Sequence, residues 1–219
     1  MKKPSPRESE VMPAASGANL NTVRGIAISA GTGGLLLVAY AILMNVKPRG
    51  CIADECVGQS YRAAGPLESA LALAAIGLMI ATALGLYQMH RFEGRGARIV
   101  RIASLIAAAS MLVGILGLVI NNVFFNSGLV YFLVAFPGIL LAMLAFAVTG
   151  AGLMRSRVMP PWAGAMLILT SLLLLVHNDQ NELILLVIPF GVTWMVLGGL
   201  LWSTTASSSS RWHARIQHV

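Results

Sequence analysis

The stretch IASLIAAASMLVGILGLVINNVFFNSGLVYFLVAFPGILLAMLAFAVTGAGLM, from Ile102 to Met154, runs for 53 residues without a Lys, Arg, Asp, Glu or His. As one helix it would extend about 80 Å, at roughly 1.5 Å per residue. The hydrocarbon core of a bilayer is only about 30 Å thick. The stretch is too long for one crossing and about right for two. A turn is visible near its middle, in Asn121-Asn122-Val-Phe-Phe-Asn126-Ser127-Gly128, where polar residues and a glycine cluster. The reading is a membrane hairpin, and the flanking sequence repeats its pattern.

Composition agrees. Of 219 residues, 57% are hydrophobic and 11% charged, and the mean hydropathy is +0.79. Soluble domains usually carry about 25% charged residues. The net charge of +7 would suggest nucleic acid in a soluble protein. Here the cations sit in short segments beside apolar runs, which reads as membrane orientation rather than nucleic-acid binding.

Working outward, the expected fold is all-α: a polytopic membrane protein, a six-transmembrane-helix bundle of three hairpins. Residues 1–24 read as a disordered basic tail, with Lys2, Lys3, Arg7 and Arg24. The apolar run after them is too long for the core of a secretory signal, and no small-residue cleavage site follows it. The spans fall at about 25–45, 67–87, 102–120, 129–154, 161–176 and 183–203, and 204–219 is a Ser-rich basic tail. Pro66 with Glu68, and Pro160-Pro161-Trp162, suit helix starts.

Six spans put both termini on one side. That side holds twelve of the fifteen Lys and Arg residues; the other holds Lys47, Arg49 and Arg62 with five carboxylates. The positive-inside rule then makes the termini cytoplasmic. Trp162 and Trp202 fall at the inner boundary, where amphipathic rings sit.

Cys51 and Cys56 share the longest outer connection. Their C-x-x-x-x-C spacing departs from the C-x-x-C of redox pairs, so a structural disulfide is expected in an oxidising compartment. The outer face also collects a polar cluster, Asp54, Glu55, Glu68, His177, Asp179 and Glu182. The spacing of His177, Asp179 and Glu182 matches no zinc pattern, and a solvated turn is the simpler reading. His90 and His177 lie at opposite faces, so no facing pair is available for haem. No metal or cofactor is expected. No nucleophile motif or phosphate loop appears, and the spans carry hydroxyls rather than charges: Ser29, Thr32, Thr82, Ser110, Thr149, Thr170 and Thr193. Such hydroxyls commonly bond their own helix.

Pro137 and Pro189, in Phe136-Pro137-Gly138 and Ile188-Pro189-Phe190-Gly191, mark helix kinks. Small residues recur at four-residue spacing in Gly77-x-x-x-Ala81-x-x-x-Gly85 and Ser110-x-x-x-Gly114, and suit close helix packing.

Met154-Arg-Ser-Arg157-Val-Met-Pro160-Pro161-Trp162-Ala163-Gly164 and the closing Ile188-Pro-Phe-Gly-Val-Thr-Trp194-Met-Val-Leu-Gly198-Gly-Leu-Leu-Trp202 together resemble small multi-span bacterial membrane proteins. Those carry a basic turn, then Pro-x-Trp-Ala-Gly opening a helix, and a Gly-rich, Trp-containing last span. Pro161 stands where that pattern has a basic residue. The resemblance covers about the last third of the chain and implies a bacterial inner-membrane protein without implying an activity. Three functional classes stay open. A scaffold or regulatory subunit acting through a protein partner or its own oligomer comes first. A transporter or channel for a small neutral or apolar solute is next, and a lipid- or quinone-modifying enzyme last.

Overall fold

The computed structural model describes residues 20–50, 62–89, 95–121, 124, 129–156 and 159–216, and among them every regular element is helical. The six helices are α1 (Leu20–Val46), α2 (Pro66–Met89), α3 (Arg95–Ile120), α4 (Phe136–Ser156), α5 (Pro161–Leu173) and α6 (Val187–Ile216). Five are long and apolar enough to cross a membrane; the apolar helix Pro161–Val176, α5 with one 3-10 turn, is shorter. The set is that of a multi-pass membrane protein.

Three helices outrun their expected spans. α1 begins at Leu20, α3 begins at Arg95, and α6 continues to Ile216. Beyond Gly199 the sequence holds neither Gly nor Pro, so nothing in the chain interrupts the backbone ladder.

Large apolar side chains such as Leu35, Phe132, Leu133 and Leu169 point outward, while the buried set includes Ala30, Ala41, Ala75, Ala83 and Ala107. This is what lipid-facing helices require: small residues inside let backbones approach, and bulk outside meets hydrocarbon. Gly191 shows how tight the approach is. A Cβ there would lie 2.6 Å from the carbonyl oxygen of Gly34 on α1. Gly164 on α5 has the same relation to Gly150 on α4, at 2.5 Å, and Gly138 on α4 meets the backbone of Gly114 on α3 at 2.8 Å. The expected Ser110–Gly114 seam is therefore an α3–α4 contact. The expected seam Gly77–Ala81–Gly85 is packed at one position only: Gly85 lies tightly against the Ile26 side chain of α1, whereas Gly77 faces nothing within 4 Å and Ala81 is exposed. Spacing alone does not tell which side of a helix meets a neighbour.

These contacts fix the directions. Going down α1 from Gly34 to Gly31, the partner on α6 climbs from Gly191 to Gly198, and Arg24 then lies 5.7 Å over the Trp202 ring. α3 and α4 run oppositely in the same way, from Gly96 beside Ser156 to Gly117 beside Ala135. The helices alternate up and down. One end carries Arg24, Arg101 and Arg155; the other carries Lys47, Arg49, Arg62, Glu68, Asp179 and Glu182. The hairpins α1–α2 and α3–α4 are closely packed, but α5 and α6 touch only lightly. α5 rests chiefly on α4, and α6 on α1, because the glycine contacts lie on those faces.

Pro137 and Pro189 each lie within a long apolar helix, Tyr131–Ser156 and Glu182–Ser203, where the helix type changes. Pro137 is the second residue of α4, directly after a π-helical segment, Tyr131–Ala135. Pro189 is the third residue of α6, after a 3-10 segment, Glu182–Leu186. In both helices the proline precedes a close-contact glycine, Gly138 or Gly191.

Candidate functional site

The end of the bundle opposite the termini is held by a polar latch built around Arg62. The residue is 5% exposed. Its guanidinium donates to four backbone carbonyls: Pro48 at 2.8 Å, Lys47 at 3.0 Å, Asp179 at 3.2 Å and Asn181 at 3.4 Å. The planar fork of arginine suits this use, since it presents several donors in fixed directions. Gln180, also buried, completes the latch. Its Oε1 accepts from the Arg62 backbone N–H at 2.7 Å, and its backbone carbonyl accepts from Gly50 N–H at 2.9 Å. The segment after α1, the segment before α2 and the turn before α6 are thereby joined.

The sequence-predicted polar residues divide around this latch. Glu68 pairs with Lys47 at 2.8 Å. Glu182 pairs with Arg49. Asp179 Oδ1 accepts from Gln180 Nε2 at 2.9 Å, and His177 Nδ1 lies 2.7 Å from the Leu174 carbonyl. Each carboxylate has its own donor, and the four do not converge; among the described residues no group of three His, Cys, Asp or Glu could hold a metal ion. Asp54, Glu55, Cys51, Cys56 and His90 lie outside the described residues. Arg62 and Gln180 were not singled out from sequence. Arg62 is one of only three cations on an acidic side, which is a faint signal; Gln180 has none.

Within the spans, the threonines bond to carbonyls one turn back. Thr82, Thr149 and Thr170 do so at 2.8 Å, to Leu78, Ala145 and Met166, and Thr193 at 2.9 Å, to Pro189. Thr170 also reaches Thr193 across α5 and α6 at 3.3 Å. These hydroxyls satisfy themselves inside the bundle and form no polar path.

Beneath the latch lies a cavity of about 280 Å³. Leu174 and Val187 form its roof; Leu37 and Tyr40 of α1, and Ile139 and Met143 of α4, form two of its walls. α2 contributes Ala72, Ile76 and Met79, and α3 contributes Met111, Ile115 and Leu118. Toward the bundle centre Phe146 and Phe190 close it, backed by Trp194. The Phe146 and Trp194 rings meet edge to face at 5.2 Å between centroids, and Phe190 meets Trp194 at 6.1 Å. Phe190 and Trp194 are four residues apart on α6, a spacing that puts both on one helix face and is readable from sequence. Trp194 is 1% exposed, and its indole N–H has no hydrogen-bond partner among the described residues.

The lining includes no charged group, and Tyr40 supplies its one polar side-chain atom. A cavity of about 150 Å³ with apolar walls stays dry and takes benzene; this one is nearly twice as large. It suits hydrocarbon and offers an ion or sugar nothing to replace its water. Compared with protein-family models, curated sequences and solved structures, the chain matches none.

Proposed function

We propose that the chain is a six-span protein of a bacterial inner membrane that holds a small, apolar, membrane-soluble molecule in this cavity. The cavity is the observation that carries the reading. It moves binding or transport of an apolar solute ahead of a partner-dependent scaffold, which the sequence ranks first. The site lies beside Pro137 and Pro189, where Ile139 and Phe190 line it.

Six crossings are supported by where α5 begins and ends. Gly164 near its start lies against Met154 at the basic end, and the turn after Val176 is held by Arg62 at the other. The short α5 therefore travels between the same two ends as its neighbours. Arg24, Arg101 and Arg155 together at one end support cytoplasmic termini. The acidic end then faces the exported compartment, and Cys51–Cys56 is a disulfide in the loop between Gly50 and Arg62.

Native mass spectrometry of the protein in mild detergent tests the binding reading. A discrete apolar molecule of low mass is expected on the wild type. Ala142→Leu, which extends a lining side chain into the cavity, removes it while the unfolding temperature holds. An empty monomer, or a stoichiometric protein partner with nothing in the cavity, would return the scaffold reading to first place.

A further inference from the structure

The walls of the cavity are not equally closed. α2 and α3 touch each other less than either touches its hairpin partner. At the basic end they are pinned together. Arg101 donates to the Tyr87 hydroxyl at 3.2 Å, and its guanidinium lies 4.9 Å over the Tyr87 ring. Toward the latch end Glu68, at the start of α2, is tied to Lys47 at the end of α1 rather than to α3.

Burial along α2 follows that difference. Between Met79 and Met89 the helix buries Met79, Thr82, Ala83, Leu86 and Met89; between Pro66 and Leu78 it buries only Ala75. Ala75 faces α1, since its carbonyl lies 3.5 Å from the Cβ position of Gly33. The α3 residues that do pack tightly in this half, Gly114 and Gly117, face α4. What remains between α2 and α3 is a facing pair of apolar ridges. Ala72, Ile76 and Met79 stand on one helix, and Met111, Ile115 and Leu118 on the other, both at the spacing of one helix face. All but Met79 are half-buried, so the cavity reaches the side of the bundle here.

Resting on the six-span binding reading, we propose that this seam is a lateral doorway, and that the cavity takes the hydrocarbon chain of a lipid from the outer leaflet. The doorway opens sideways between α2 and α3, while the Arg62 latch ties together the segments beside α1, α2 and α6. The lining decides the chemistry of the guest. A quinone ring or a headgroup would lose its water-borne hydrogen bonds and find almost no donors in return. A chain loses nothing by moving from the bilayer into the bundle, and its headgroup stays outside at the membrane surface.

Trp194 supplies a reporter, because it is buried from bulk lipid and stands directly behind Phe146 and Phe190. The experiment uses the full chain with Trp162→Phe, Trp202→Phe and Trp212→Phe, reconstituted in vesicles of phosphatidylcholine brominated at mid-chain. Bromine quenches indole emission only at short range. The proposal expects strong loss of Trp194 emission. It expects Ala72→Phe, which places a ring in the doorway, to restore that emission, and Ala74→Phe, the same ring on the exposed side of α2, to leave the quenching unchanged. Equal quenching in all three proteins, or quenching in none, overturns the doorway. Bromobenzene added to the detergent-solubilised protein separates the two readings. If it quenches Trp194 where the brominated lipid does not, the cavity binds apolar guests and the lipid chain is the wrong one. If neither quenches, both the doorway and the binding reading fall.

Discussion

Replacing Arg62 with alanine removes the donor on which four carbonyls at one end of the bundle depend. Three of the four bonds are 3.2 Å or shorter, and the residue is 5% exposed. A hydrogen bond from a charged donor contributes about 1.5–3 kcal/mol net. Water can reach some of the freed carbonyls at the rim of the latch, so a total of about 4 kcal/mol is expected. For a chain of this size, each kcal/mol shifts the unfolding temperature by about 2–4 °C. Arg62→Ala should therefore unfold roughly 8–16 °C lower, measured by scanning fluorimetry in mild detergent. Arg62→Lys should recover only part of the loss, because an ammonium cannot fork onto carbonyls on two sides at once. Helical content by circular dichroism should stay unchanged below the transition, since the latch lies outside the helices. An unfolding temperature within about 3 °C of wild type would show that the latch does not hold the bundle end together.

Three further outcomes are expected. Gly191→Ala puts a methyl 2.6 Å from the Gly34 carbonyl and should destabilise by about 1–3 kcal/mol. Gly199→Ala, on the same helix with nothing within 4 Å, should instead stabilise by about 0.5–1 kcal/mol; equal unfolding temperatures for the two would refute the α1–α6 crossing. Cys51 and Cys56 should take up a membrane-impermeant maleimide on intact cells only after reduction, and free labelling without reductant would exclude the disulfide. A reporter fused after Val219 should be active in the cytoplasm; activity restricted to the exported side would invert the proposed orientation.

Periodicity, charge and length made the architecture legible. A 53-residue uncharged run, basic segments recurring on one side and prolines at helix starts all follow from what a bilayer demands of each segment separately. Those are local constraints, so a single chain displays them. The back-bonded threonines belong here too, since each finds its acceptor one turn away on its own helix.

What tertiary structure decided is which faces meet. Gly77 and Gly114 have similar spacing motifs, yet one faces open space and the other another helix's backbone. Arg62 looked like a loop charge, and only the arrival of Pro48, Asp179 and Asn181 around it makes it the centre of a latch. The cavity is the extreme case. Its walls come from five helices and the end of α5, and no short segment of sequence can show space that exists only between them. Sequence by itself determined that this chain forms apolar helices with a basic and an acidic end, because each residue's preference for lipid or water acts alone. The latch, the cavity and the loose α2–α3 seam depend on sums of distant contacts, and those were decided only when the helices packed.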